Sequence, residues 1–567
     1  MGKELYTIGV DYGTLSGRGV LVRCSDGQVI SSAVKEYTHA VMEGRLPDNE
    51  TELPVGWCLE YPEDYLEVLY TVIPRLLCDS GVDKEAVIGI GIDFTACTLL
   101  PVDEEGMPLC MKEEFRSRRN SYVKLWKHHG AQKQADRVNE LLEEWNLMDD
   151  PAFGGKISPE LMVPKVMEIL EEDPEIYDLA AEILEAGDWI TRVLTGSRKR
   201  SCSMAGYKAW WNAQSGYPDK EFFKALDERM ENFTEDKLPG DICGIGEKAG
   251  TLSGKWAKRL GLKEGIAVAP AVIDSHAGFP GSGISRMGQM MMVLGTSSVL
   301  LALSGKPYSA HGVCGGVKDG IVPGYYALES GLASVGDLFG WFVENLVPMS
   351  YYKEAEAEKV DIHTLLCRKA EKLKIGESGL MALDWWNGNK TPFVDGNLTG
   401  SLIGMTLNTK PEEIYRALIE ATAFGTRAIK ELFEESGIRI EEVIASGGIA
   451  SKNPLLMQIY ADVLGTDIKI AACDQAAALG SAIYAALAAG RENGGYDSYE
   501  EAVERMSRIK EEKYCADTKS KEAYDRLYRI YQSFSGTMGR KEREILRELY
   551  DIKVLGRTHE RDTYGTK

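Results

Sequence analysis

Two stretches of this chain place a glycine and hydroxyl side chains in a tight turn between apolar runs. Asp11-Tyr12-Gly13-Thr14 separates residues 7–10 from residues 19–22, and Gly295-Thr296-Ser297-Ser298 separates residues 290–294 from residues 299–303. Each reads as strand, turn, strand. A polyphosphate is held by closely spaced backbone N–H groups and hydroxyls, and glycine lets the backbone come near because no side chain intervenes. Gly13 and Gly295 therefore qualify as points of phosphate approach, with Thr14 and Thr296 bonding phosphate oxygens. Asp11, closing its strand, suits magnesium, which takes carboxylate and phosphate oxygens directly or through water. Either turn alone would be an ordinary glycine-containing hairpin. Their repetition is what argues for a nucleotide.

A third glycine turn, ASGGIASKNP at residues 445–454, follows an apolar strand and leads into a helix. Asn453 suits the N-cap of that helix and Pro454 its first position. Paired glycines there, Gly447 and Gly448, would let a flat adenine lie against the backbone, where an ordinary strand-to-helix loop would need no such pair. At Val272-Ile273-Asp274-Ser275-His276 an aspartate ends a long apolar run. A hydroxyl attacking a γ-phosphate needs a positioned proton acceptor, and Asp274 is the candidate base. His276, a lone histidine without a partner motif, is read as structural or cleft-lining. No G-x-x-x-x-G-K-[ST] loop is present: residues 250–256, GTLSGKW, have the wrong glycine spacing and Trp where Ser or Thr belongs.

These groups need a scaffold that brings distant segments together. Gly13 and Gly295 stand about half of the 567 residues apart, which suggests two domains that open on the same element. Apolar runs at residues 86–92, 266–273 and 442–446 read as buried strands between amphipathic helices, so the class is α/β. Helices are best supported after Tyr61-Pro62 and after Lys410-Pro411. Residues 277–285, rich in Gly, Pro and Ser, read as the hinge between domains at residues 1–282 and 283–567. The stretch from about Arg508 is highly charged and reads as a peripheral helix and tail. Residues 476–490 are too short and too rich in Ala and Gly for a membrane span and read as a packed helix.

Composition narrows the partners. With 44% hydrophobic and 27% charged residues the chain is an ordinary globular protein, and a formal net charge of −22 argues against nucleic acid or an anionic membrane as the main partner. The short basic runs at residues 116–119 and 198–200 are read as solvated surface. Eleven cysteines with no C-x-x-C pair fit reduced thiols and a cytoplasmic location. Residues 1–10 show no export signal or lipid anchor.

The four pieces, in this order, resemble the carbohydrate kinases named for an F-G-G-Y motif, and the resemblance covers nearly the whole chain. It implies two ribonuclease-H-like domains of the actin-like ATPase type, with sugar mainly on the first, nucleotide on the second and catalysis in the interdomain cleft. It implies ATP and Mg2+, and Asp274 as catalytic base. The arginine that follows the first turn in that family, near the transferred phosphate, is matched by Arg18. Within the family, IDFTACTLLPVDEEGMPL, LWKHHGAQKQAD, GDWITRVLTG, MAGYKAWW and DWWNGNKTPFVDGNLTG are similar to the ribulokinase subgroup. The expected reaction is then phosphorylation of L-ribulose, with D-ribulose and ribitol open as further acceptors, to the 5-phosphate. Ala96, Lys208 and Glu329, with Asp274, are the sugar contacts the resemblance implies. Trp210, Trp211, Trp385 and Trp386 could stack on sugar, but buried packing competes. In Pro164-Lys165-Val166-Met167-Glu168 the family's usual Trp is replaced by Glu168, and that segment receives no role. A homodimer stays open. The rivals are a kinase for xylulose or glycerol, an actin- or chaperone-like ATPase that needs no sugar, and a sugar sensor, which should lack the base.

Overall fold

The computed structural model describes residues 4–48, 50–148, 153, 155–308, 312–550 and 552. Two mixed sheets dominate it, and they share a six-stranded core order. The first runs, in spatial order, Gly250–Thr251, Ala267–Val268, Val87–Phe94, Tyr6–Tyr12, Ser16–Arg23 and Val29–Glu36, with Val272–Ile273 also paired to Val87–Phe94. The second runs Cys314–Lys318, Tyr326–Leu332, Ser298–Ser304, Gln289–Leu294, Glu442–Ser446, Ile468–Ala471 and Ile509–Tyr514. In each, the opening strand is antiparallel to its hairpin partner and parallel to the strand on its other side. Short glycine turns suffice for the antiparallel pairs, whereas each parallel pair needs a crossover. The helices Pro62–Ser80 and Pro411–Glu435, both opening on proline, lie on those crossovers. This is the duplicated α/β architecture expected from the two hairpins.

All seven residues of Tyr6–Tyr12 are buried, because the sheet is covered on both faces. One cover comes from far along the chain. The helix Ala476–Ala489 lies so close that a Cβ on Gly9 would stand 1.8 Å from the Ala478 carbonyl oxygen, and one on Gly91 1.9 Å from that of Ser481. Its Ala- and Gly-rich sequence permits this approach, and it is the packed helix expected from composition. It and the helix Tyr499–Met506 join the core built on the first sheet, a core that also takes in Met291, Leu301 and Ile444 from the second.

Three expectations change. The run at residues 266–273 is two short strands, because Pro270 cannot donate to a ladder. The segment read as a hinge instead forms most of a helix, Asp274–Gly281, packed so tightly on Ala476–Ala489 that a Cβ on Gly281 would meet the Ala476 carbonyl at 1.9 Å. The charged stretch after Arg508 opens as an edge strand, Ile509–Tyr514, where Lys and Glu suit an unpaired edge. It continues into the helix Thr518–Gly536, which is not peripheral, since Tyr524, Tyr528 and Tyr531 are buried in the second core. Among the described residues no helix is long and apolar enough to cross a membrane.

Candidate active site

Three aspartates cluster where parallel strands of the first sheet end. Asp11 is in register with Asp93, and Val272 pairs with Asp93, so Asp274 emerges just beyond them. Asp93 is wholly buried and accepts a hydrogen bond from Ser481 Oγ at 2.7 Å. Burial and the neighbouring Asp11 push its carboxyl well above the usual range. Burial also raises Asp11, against the pull of Arg18, whose Nε lies 3.3 Å from Asp11 Oδ2 across the hairpin. Asp274 is the first residue of its helix and its Oδ1 accepts from the Ser275 N–H at 2.6 Å. Burial, then the charge on Asp11, push its carboxyl up to about 7 while Lys208 opposes them. A half-buried carboxyl near neutrality is suited to take and release a proton.

The second sheet brings Glu329 to this cluster from the strand Tyr326–Leu332. Burial would raise the Glu329 carboxyl, but Lys208 and the hydrogen bond from His276 outweigh it and hold it at about 2. His276 Nε2 lies 2.7 Å from Glu329 Oε2, and its Nδ1 lies 3.3 Å from Ser203 Oγ. Lys208 sits with Ser203 on the helix Cys202–Ala209, capped by Ser201 Oγ. Lys208, Asp274 and Glu329 are each only partly buried. Ala96 is likewise partly exposed, and its neighbour Cys97 lies in the field of Lys208. Asp11, Arg18, Ala96, Lys208, Asp274 and Glu329 therefore form one neighbourhood.

The glycine turns of the second sheet form another. The N–H groups of Val335 and Gly336 donate to the carbonyls of Thr296 and Gly295 at 2.8 and 3.0 Å, docking the helix Gly336–Leu346 on the turn. Gly447, with φ 96°, lies so close that a Cβ would meet the Leu294 carbonyl at 2.4 Å. The fold itself requires that glycine. Gly448 differs: a Cβ there would meet nothing within 4 Å. Asn453 caps the helix Pro454–Leu464, its Oδ1 accepting from the Leu456 N–H at 3.1 Å and from Cys367 Sγ at 3.5 Å. At Gly13 and Gly295 an added Cβ would come no nearer than 3.4 and 3.8 Å to any other atom, so packing leaves both open. Thr14 Oγ1 accepts from Trp126 Nε1 at 3.1 Å.

Among the described residues no three His, Cys, Asp or Glu side chains form a ready metal cage. Magnesium needs none, since it keeps waters and takes phosphate oxygens beside one or two carboxylates, and Asp11 with Asp93 at its back offers that. Asp93 went unremarked although it carries the same signal as Asp11 and Asp274, a carboxylate ending an apolar strand. His276 carries more than a lone histidine suggests, because it ties the helix of Asp274 to Glu329. Trp210 and Trp385 are buried in packing, while Trp211 and Trp386 are partly so. The basic run at residues 116–119 pairs with Glu113, Asp173, Glu175 and Glu172. Arg200 departs from the surface reading and is buried beside Asp188 and Tyr217.

Comparison with known proteins matches residues 6–281 to the N-terminal domain and residues 290–489 to the C-terminal domain of the FGGY family of carbohydrate kinases. The chain is 53% identical over 541 residues to a ribulokinase of Bacillus licheniformis, covering 95% of this chain and 98% of that one. It is 41% identical over 567 residues to a ribulokinase of Mycolicibacterium smegmatis, covering 100% and 99%. Among solved structures it is similar to a xylulose kinase from Rhodospirillum rubrum, with a TM-score of 0.76 at 23% identity over 94% of this chain and 99% of that one. It is similar also to a glycerol kinase from Plasmodium falciparum with ADP, with a TM-score of 0.75 at 19% identity over 95% and 99%. At such identities the likeness speaks for the fold.

Proposed function

The chain belongs to the FGGY family of carbohydrate kinases, and from that premise we propose that it transfers the γ-phosphate of ATP to the 5-hydroxyl of L-ribulose. The observation that carries the chemistry is the position of Asp274, a carboxyl near neutrality in the field of Asp11, which pairs with Arg18, and of Glu329 and Lys208. The substrate is supported by the curated relatives, which share the name ribulokinase over nearly the whole length of the chain.

Asp274 takes the proton of the attacking hydroxyl as its oxygen bonds to phosphorus and the bond to ADP breaks. Lys208 and Glu329 hold the other sugar hydroxyls, and the loop at Ala96 offers backbone. Gly13, Thr14, Gly295 and Thr296 cradle the phosphates, Arg18 meets the transferred group, and Gly447, Gly448 and Asn453 take the adenosine. Magnesium, when held at Asp11, supplies positive charge to the phosphate oxygens. D-ribulose and ribitol are the next best acceptors, the enzyme works in the cytoplasm, and a homodimer is compatible with this reading.

ADP release measured with L-ribulose, D-ribulose, ribitol, D-xylulose, glycerol and no acceptor tests the proposal. L-ribulose should give the highest kcat/KM, because sugars that leave buried polar groups unpaired lose their desolvation cost. A panel in which xylulose or glycerol surpasses every form of ribulose overturns the substrate, and release that ignores the acceptor overturns the transfer.

A further inference from the structure

The helix Met162–Glu172 buries two of its four charged residues, Lys165 and Glu168, three residues apart and therefore on one face. Both are wholly buried, as are Lys124 and His128 beside them. Glu168 Oε2 lies 2.6 Å from Lys124 Nζ and 2.7 Å from His128 Nε2. His128 Nδ1 accepts from the Cys58 N–H at 3.3 Å, which leaves Nε2 as the donor to Glu168. The Trp57 ring covers the cluster, its centre 3.9 Å from Lys124 Nζ and 4.9 Å from the His128 ring. Gly130 keeps the space clear, since a Cβ there would stand 2.4 Å from Glu168 Oε1 and 2.7 Å from His128 Nε2.

Lys165 turns the other way. Its Nζ donates to the carbonyls of Cys97 and Leu125, each at 2.7 Å, and of Trp126 at 3.4 Å. These carbonyls belong to two segments at the site. Cys97, held at φ 53°, follows Ala96, and Trp126 donates to Thr14 in the first glycine turn. One buried ammonium thus joins the sugar-facing loop to the segment that reaches the phosphate turn, and the Lys124–Glu168–His128 cluster holds that segment on both sides of residues 125–126.

We propose that Lys165 and Glu168 are positioning residues, a buried brace that sets the backbone at residues 96–97 and 125–126 for the sugar, an inference that rests on the sugar-site reading above. Apolar side chains of similar volume would fill this core without the desolvation cost of burying charge. What they could not do is gather three carbonyls from two loops onto one donor. Burial, set against the stronger pull of Lys124 and His128, leaves Glu168 ionised, with its carboxyl held at about 2, and burial draws Lys165 down to about 8.

The test uses the full chain and whichever sugar of the panel the wild type turns over best. Lys165→Met should raise the KM for that sugar at least tenfold, leave the KM for ATP within twofold and lower kcat less than it raises KM. Lys165→Arg, which restores a cationic donor, should recover most of the loss. If Lys165→Met does not fold, the paired exchange Lys124→Met with Glu168→Leu removes opposite charges together and should raise the sugar KM at least fivefold. A sugar KM within twofold of wild type in a folded variant overturns the brace, as do equal rises in the two KM values or failure of both variants to fold. Absence of sugar-stimulated turnover in the wild type would instead strike the proposed function.

Discussion

Gly9 and Gly13 lie four residues apart at the start of the chain, and the space around them differs completely. A Cβ on Gly9 would run into the Ala478 carbonyl at 1.8 Å, whereas one on Gly13 would meet nothing nearer than the Ser16 carbonyl at 3.4 Å. Gly91, Gly281 and Gly480 go with Gly9, each pressed on the backbone of a neighbouring helix, and Gly295 and Gly448 go with Gly13. The first group is glycine because the protein fills the space. The second borders space the protein leaves empty, at the places where a phosphate or a base would need the backbone. Glycine content alone cannot separate these cases, but the atoms around each glycine can. The carboxylates divide in the same way: Asp93 is sealed against Ser481, while Asp274 keeps a partly open face.

If that division is right, damage on the open side should appear in kinetics and damage on the filled side in stability. The largest kinetic effect belongs to Asp274→Asn, which keeps the shape and removes the proton acceptor. Its kcat should fall on the order of 10²- to 10⁴-fold with both ligands still bound, as steady-state rates and calorimetric titration would report. Wild-type turnover in this variant would remove Asp274 from the chemistry. On the filled side, Gly91→Val should cost about 3 kcal/mol or more by urea unfolding, since its side chain must displace the helix Ala476–Ala489. A soluble variant of unchanged midpoint would break the comparison. Gly295→Val is the matching change on the open side, and there the KM for ATP should rise roughly tenfold, about 1.4 kcal/mol, with Tm and sugar KM nearly unchanged. An unaltered KM for ATP would reduce the second turn to a structural hairpin.

The glycine turns, their duplication and the strand that delivers Asp274 were legible in the sequence because they are local: a few residues fix turn, period and strand end. What stayed hidden is what depends on contact between distant segments. The close packing that turned residues 274–281 into a helix comes from residues 476–489, which no local pattern can announce. His276 looks alone in the sequence and meets Glu329 only once the sheets are assembled. Lys165 and Glu168 were legible as a departure from a family pattern, yet their partners at residues 97 and 124–128 come from other segments. Arg18 and Asp11 were nearer the surface of the sequence, since a hairpin of known register pairs them directly.

The smallest effect expected is the pH dependence of turnover, and it separates the open carboxylate from the sealed one. With its carboxyl raised to about 7, Asp274 is only partly ionised at neutrality, so kcat/KM should rise through about pH 7 and at about pH 6 stand about tenfold below its high-pH plateau. Burial sets the position of this limb first, and the charges of Asp11, Glu329 and Lys208 adjust it. The sign for stability is the reverse of that for activity. An aspartate whose folded value lies above its unfolded value of 3.8 keeps a proton in the native state that the unfolded chain has released, so its contribution falls as pH climbs from about 4 to about 7. Asp274→Asn lacks that proton and should lose both trends at once, with residual activity flat across pH 6 to 8 and a Tm above wild type at pH 8 that converges with it near pH 4. A variant that keeps the wild-type activity limb would show that another group titrates in the reaction, and one less stable than wild type at pH 8 would show that the Asp274 carboxylate serves the fold as well as the chemistry.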